Sequence, residues 1–104
     1  MYYLLKDRIP VLAPDVVEWA RWFEPTTVSK TTLPSGTVIN TVFLGLDTSF
    51  VAGLPILFET MVFGGPLAEA QARYATWDQA EAGHLEMVSR CEQAENPPIV
   101  EGTT

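Results

Sequence analysis

Apolar and β-branched residues in the middle of the chain predict three consecutive β-strands. They span Thr26 to Leu33, Thr37 to Asp47 and Pro55 to Phe63. A Pro-Ser-Gly turn at 34–36 joins the first two strands, residues 48–54 form the next loop, and Gly64-Gly65-Pro66 ends the third strand. Because strands joined by short turns pair side by side, we expect an antiparallel sheet.

Shorter elements precede this sheet. Tyr2 to Leu5 and Ile9 to Leu12 are predicted as two short extended segments around a Lys-Asp-Arg turn. A helix then begins at Pro14-Asp15 and ends near Phe23, because residues before a proline avoid helical geometry and Pro25 follows. Its apolar stripe at helical spacing is Val16, Trp19, Ala20 and Phe23.

The last helix has the clearest boundaries. Thr76 is the predicted N-cap, and Gln79 three residues later completes a capping-box pattern. The helix ends near Glu95, before Asn96-Pro97-Pro98, and residues 96–104 are predicted to be a flexible tail. The sequence therefore predicts one α+β domain over residues 1–95, with a small antiparallel sheet of three to five strands and two helices. The long C-terminal helix is expected to pack on the sheet.

Neither of the two long strands has a clean polar face. An antiparallel sheet with one face in water should alternate apolar and polar residues. We therefore expect both faces to be covered by the helices, by another subunit or by one of each. A homo-oligomer is favoured, because two short helices rarely cover both faces of such a sheet.

Composition and charge limit the functional classes. The chain has 104 residues, six Lys and Arg against 13 Asp and Glu, and a net charge of −7. This balance argues against direct nucleic-acid binding, which depends on cations that neutralise phosphates. The single cysteine excludes an intrachain disulfide and favours a reducing cytoplasm. No signal peptide, membrane span or membrane partner is predicted.

Glu59 and His84 are the first candidate site residues. Glu59 lies in the third predicted strand, and a buried carboxylate needs a partner, for which Arg73 and His84 are the candidates. His84 lies on the apolar stripe of the last helix, directly after Gly83. Both residues have two interpretations: structural groups bonded to a neighbour, or groups that line a ligand pocket.

The segment Arg73-Tyr74-x-x-Trp77 opens the last helix. It predicts either a packed helix entry or a site for a nucleotide, with a guanidinium for phosphate, an aromatic face for a base and free N–H groups at the helix start. Asp47 is a further candidate acceptor for such a ligand. Candidate protein-contact residues are Trp22, Met61 and Phe63.

Motifs for catalysis and for cofactors are not found. The sequence has no GxSxG, P-loop, CxxC, HExxH or dinucleotide-type glycine pattern. A single histidine cannot supply a multi-histidine metal site. We therefore expect no enzyme, no catalytic residues, no metal and no cofactor.

Three segments carry a resemblance to known proteins. They are "TVFLGLDTSF", "PILFETMVFGGPL" and "RYATWDQAEAGHLEMV", in this order between Thr41 and Val88. Together with "EWARWFE" in the first helix, they resemble a family of small uncharacterised proteins encoded by bacteriophages and prophages. The resemblance implies a phage origin and a location in the cytoplasm of the bacterial host. It carries no known activity and therefore assigns no site residues.

Small phage proteins without catalytic motifs are often inhibitors of host defence. The preferred hypothesis is a sponge that binds and sequesters a nucleotide-type immune signal, through Arg73, Tyr74, Trp77, His84, Glu59 and Asp47. The alternative is an acidic protein-binding inhibitor of a host defence complex, such as an anti-CRISPR. Its binding surface would be on the last helix, at Asp78, Glu81, Glu86, Glu92 and Glu95. A second alternative is a structural or regulatory phage protein.

Overall fold

A computed structural model describes residues 1–47 and 53–96, and it confirms the α+β class. In chain order its elements are β1 (Tyr3–Lys6), β2 (Ile9–Leu12), α1 (Val16–Trp22), β3 (Thr26–Thr32), β4 (Val38–Phe43), β5 (Phe58–Phe63), β6 (Gln71–Tyr74) and α2 (Trp77–Glu95). Most of the predicted loop at 48–54, and all of the predicted tail after residue 96, lie outside the described residues.

The central sheet is an antiparallel meander in the order β3-β4-β5-β6, and β1 and β2 form a separate hairpin. The strand β6 was not predicted, because four residues with polar Gln71 and Arg73 resemble a loop in the sequence. Its pairing with β5 supplies the strand geometry. Directly after β4, Leu44 still donates its N–H to Leu57 beside β5 at 2.7 Å, and the chain then pairs with the N-terminus, where Tyr3 donates its N–H to the carbonyl of Gly45 at 2.8 Å.

Helix α2 packs across one face of the sheet and contacts all four strands. The predicted N-cap is confirmed, since Thr76 Oγ1 accepts from Gln79 N at 3.1 Å. The Gln79 side chain accepts from Ala75 N at 3.1 Å, one residue before the N-cap that a standard capping box would bond. The residues that α2 turns toward the sheet are Ala80, His84, Met87 and Cys91, and all four are buried.

Two apolar clusters form the core between α2 and the sheet. One contains Leu33, Ile39, Val62, Met87 and Cys91. The other contains Phe43, Leu57, Phe58 and Ala80. Three buried polar residues, Thr41, Thr60 and His84, occupy the positions between the clusters along β4, β5 and α2. The core is therefore apolar at both ends and polar in the middle.

Helix α1 packs beside β1, and it buries none of its residues. The prediction of a packed apolar stripe on this helix is therefore wrong for Val16, which is 49% exposed, and for Ala20, which is also exposed. Only the end of the stripe is anchored: Trp19 stacks on Phe23, whose ring lies 6.1 Å from that of Phe43. Seven residues are too few for α1 to cover the sheet as well.

The face of the sheet that is turned away from α2 is called the open face. It consists of Lys30, Thr32, Val38, Asn40, Val42, Glu59, Met61, Phe63, Gln71 and Arg73. No helix or strand of the described residues packs across it. Within the single chain only one face of the sheet is covered, so the expectation that a second subunit covers the other face stays a prediction, and apolar Val38, Met61 and Phe63 lie on the open face.

Gly83 is the position where α2 comes closest to β6. A Cβ atom at residue 83 would lie 2.2 Å from two ring carbons of Tyr74. The absence of a Cβ atom at this glycine lets another group approach the helix backbone closely. In the structure it admits the Tyr74 ring, which passes beneath the helix.

We expect the substitution Gly83→Ala to destabilise the fold by about 1–3 kcal/mol, the usual cost of overpacking. Helix propensity alone would predict a more stable variant, because alanine is more favourable than glycine by about 1 kcal/mol inside a helix. Urea denaturation measures the difference. The control is Ala82→Gly at the exposed neighbouring position, where glycine should be the destabilising residue. An increase in stability for Gly83→Ala would contradict this packing.

Finally, no helix in residues 1–47 and 53–96 is both long and apolar enough to cross a lipid bilayer.

Candidate functional site

Glu59 forms an ion pair with Arg73, one of its two predicted partners. The two residues lie opposite each other on β5 and β6, and Arg73 Nε donates to Glu59 Oε2 at 2.9 Å. The Glu59 side chain is 14% exposed and that of Arg73 is 51% exposed. The pair lies on the open face, and a pair this accessible contributes little stability, about 0–1 kcal/mol.

His84 lies on the other side of the sheet, where it is 1% exposed. Its Nε2 is 2.8 Å from Thr31 Oγ1 on β3, and its Nδ1 is 2.8 Å from Thr41 Oγ1 on β4. Thr41 is hydrogen-bonded to Thr60 on β5, which accepts a hydrogen bond of 3.1 Å from the Tyr74 hydroxyl on β6. These five residues, Thr31, His84, Thr41, Thr60 and Tyr74, are called the polar band.

The polar band is satisfied when its hydroxyls align head to tail. With Tyr74 donating to Thr60, the chain continues through Thr41 to Nδ1 of His84, and Nε2–H then donates to Thr31. This arrangement requires a neutral imidazole, since Nδ1 must accept. Burial also lowers the pKa of His84 below its ordinary 6.5, which favours the same neutral form. The band therefore holds His84 as a structural group.

The single pocket that the sequence suggested is not formed by the described residues. Glu59 and Arg73 lie on the open face, whereas His84 and Tyr74 take part in the polar band beneath α2. The sheet separates the two pairs. Sequence reasoning did not distinguish the strand faces here, because it did not predict β6, whose register places Arg73 and Tyr74 on opposite sides.

Trp77 takes part in a different cleft at the start of α2. The Arg8 guanidinium carbon lies 5.1 Å from the centre of the Trp77 ring, and Trp77 Nε1 donates to Glu81 Oε1 at 2.8 Å. The cleft has a volume of about 350 Å³ and is lined by Asp7, Arg8, Ile9, Pro10, Thr76, Trp77 and Asp78. Arg8, rather than the predicted Arg73, is therefore the guanidinium beside this aromatic ring.

The turn that carries Arg8 has an unusual backbone. Asp7 and Arg8 are the two residues between β1 and β2, and their φ angles are 51° and 68°. Such a turn favours Asn-Gly, and each ordinary residue in this region costs about 1–2 kcal/mol. Nothing in the sequence indicated that Arg8 would reach Trp77, because 69 positions separate them in the chain.

The other predicted residues occupy separate places. Asp47 Oδ1 accepts from the N–H of Ile56 at 3.1 Å, which ties together the two sides of the loop between them. Trp22 lies on α1, is 64% exposed, and donates to Glu18. Met61 and Phe63 lie two residues apart on the open face, where Phe63 is 51% exposed. The three predicted contact residues therefore do not all share one element.

The outer side of α2 carries a surface that we call the acidic face. It consists of Asp78, Glu81, Glu86 and Glu92 together with Leu85, and all five are exposed. Leu85 is 69% exposed at the middle of these carboxylates. The last turn of the helix has no basic residue. The acidic face therefore combines a negative potential with one apolar side chain.

Glu95 does not belong to the acidic face. Its Oε2 is buried and has no hydrogen-bond partner among the described residues. It lies beside Gly65, in an open cavity of about 730 Å³ between the 34–36 turn, residues 64–66 and the end of α2. The prediction that Glu95 shares a surface with Glu81 and Glu86 is therefore wrong.

Groups for metal binding or nucleophilic chemistry are sparse in the described residues. Residues 1–47 and 53–96 contain no cluster of three His, Cys, Asp or Glu that could hold a metal ion. Cys91 is buried; burial raises the pKa of its thiol, and the Glu95 charge raises it further. A thiol of raised pKa is a poor nucleophile at neutral pH.

Comparison with protein-family models, curated proteins and solved structures finds no match to this chain. The resemblance to phage proteins therefore stays a prediction.

We expect the protein to lose stability as the pH falls below about 6.5, because the folded state holds His84 neutral while the unfolded state protonates it. The stabilisation that neutral His84 contributes is fully present above its pKa in the unfolded state. It decreases as the pH falls toward the lower pKa of His84 in the folded state. The slope should reach at most about 1.4 kcal/mol per pH unit.

Urea denaturation between about pH 7.5 and pH 5.5 tests this, in a window above most carboxylate pKa values. His84 is the only histidine, so His84→Gln should flatten the profile in this window even if it lowers overall stability. An equally steep profile for the variant would contradict the assignment.

Proposed function

We propose that this protein is a non-enzymatic inhibitor that binds a basic surface of another protein through the acidic face. The observation that supports the proposal is the grouping of four exposed carboxylates around exposed Leu85 on one side of α2. Charged groups of one sign accelerate the encounter with an oppositely charged surface. An apolar side chain surrounded by polar groups matches the arrangement of binding hot spots.

The class of partner follows from the resemblance to phage proteins. A phage protein of this kind acts in the cytoplasm of the host, where defence complexes expose basic grooves that hold nucleic acid. A rigid helix with negative charge can occupy such a groove and exclude the nucleic acid. The partner is therefore a host defence protein, and a CRISPR effector complex is the example to test first.

A second candidate function is the nucleotide sponge. The cleft at the start of α2 favours it, since Arg8 lies over Trp77 beside the N-terminus of this helix. The carboxylates of Asp7 and Asp78 border the same cleft and oppose an anionic ligand. This balance of charge ranks the sponge below the protein-binding inhibitor.

For the acidic face, we expect Glu86→Lys with Glu92→Lys to weaken inhibition at least about tenfold, since like charges then meet at the interface. The measurement is displacement of fluorescent target DNA from purified CRISPR effector complexes. Glu24→Lys with Glu69→Lys is the matched control, because it changes the net charge equally at exposed residues outside α2. Equal losses in the two double variants would contradict a specific acidic face.

For the sponge, we expect cyclic dinucleotides or ADP-ribose derivatives to raise the melting temperature of the wild-type protein, and Arg8→Ala to abolish the shift. Arg73→Ala is the control, because Arg73 lies on the open face and away from Trp77. Intact nucleotide recovered after heat denaturation would show sequestration without cleavage. No shift across the panel would contradict this second candidate.

A further inference from the structure

The open face differs in charge from the rest of the molecule. Its charged residues are Lys30, Arg73 and Glu59, so it carries a charge of +1. The chain as a whole carries −7, which leaves −8 on all other residues. Two copies that approached through the acidic face would bring four carboxylates of each copy together. Two copies therefore meet through the open face with much less repulsion than through the acidic face.

Asn40 gives a second and independent observation. It lies on β4, between Lys30 on β3 and Met61 on β5 in the register of the sheet. Its Oδ1 is buried and has no hydrogen-bond partner among the described residues. A buried polar atom without a partner is costly and rare in native structures. A carboxamide is both donor and acceptor, so once the Asn40 side chain rotates toward the surface, the amide of a second Asn40 supplies what this atom lacks.

We propose that two copies of this chain pack face to face through the open face, about a two-fold axis that runs along β4. Such an axis brings the two Asn40 amides together at the centre. It also exchanges β3 and β5, so that Lys30 of one copy lies over Met61 of the other, two residues along β5 from Glu59. The same axis therefore places the two amides opposite each other and brings Lys30 near Glu59.

The size of the open face sets the expected strength. Its four strands, about 4.8 Å apart, and the six residues of β4 give a footprint of roughly 20 Å by 20 Å. This footprint of about 400 Å² is half the roughly 800 Å² that a standard specific interface buries on each partner. We therefore expect a dimer that dissociates in the micromolar range. The two sheets would lie about 10 Å apart, as in a β-sandwich.

The dimer also affects how the acidic face is presented. Because α2 covers the opposite side of each sheet, the two acidic faces point outward in opposite directions. The dimer does not depend on the function proposed for these faces. Its test uses the mass of the protein and no partner.

Sedimentation over a concentration series tests the proposal. The wild-type chain should change from 11.5 kDa at low concentration to twice that mass at about 100 µM. Asn40→Lys and Asn40→Asp should each be monomeric, because each places like charges on both sides of the axis. An equimolar mixture of the two variants should restore a dimer, because lysine then faces aspartate.

Control variants separate the open face from general effects of charge. Ala82→Lys and Ala82→Asp place the same charges on exposed positions of α2 and should leave the dimer intact. Circular dichroism establishes that each variant is folded. If an Asn40 variant does not fold, Lys30→Glu provides the test at an exposed residue, with dimer affinity at least about tenfold weaker.

Two results would overturn the proposal. A wild-type chain that is monomeric at about 500 µM would exclude self-association of useful strength and leave the open face to a different protein. Folded Asn40 variants that dimerise as well as the wild type would assign the dimer to another surface.

Discussion

The structure depends on one constraint: a histidine buried at the centre of the helix–sheet interface must have both ring nitrogens hydrogen-bonded. His84 satisfies this requirement with Thr31 and Thr41, and the bonds continue through Thr60 to Tyr74. Every strand of the central sheet contributes one hydroxyl. A buried polar group without a partner costs about 1–3 kcal/mol, so the band specifies how α2 and the four strands align.

The same constraint determines which side chains are available to a partner. Because the polar band uses both ring nitrogens of His84 and the hydroxyl of Tyr74, these polar groups are not free to bind a ligand. The opposite sides of α2 and of the sheet then become the two large exposed surfaces, one acidic and one slightly basic. The proposed inhibitor uses the first surface, and the proposed dimer uses the second. Their opposite charges make the two surfaces suited to different partners.

The fold was largely predictable where the pattern is local. The three predicted strands at 26–33, 37–47 and 55–63 are present, and each is shorter in the structure than in the prediction. The capping signal at Thr76 placed the start of α2 correctly. Both predictions succeeded because turn and capping signals act within a few residues. The strand β6 and the exposure of α1 were missed. Both depend on what packs against them, and four or seven residues carry too little pattern to show it.

The sequence by itself determined the α+β class, the ends of α2, the acidic balance and the need for a partner at Glu59. Tertiary structure decided that Arg73 is that partner, that Tyr74 fills the space at Gly83, and that Arg8 reaches Trp77. These choices depend on strand register and on contacts between residues far apart in the chain. Helical and strand periodicity describe which face a residue occupies, but only the pairing of strands determines what lies opposite it.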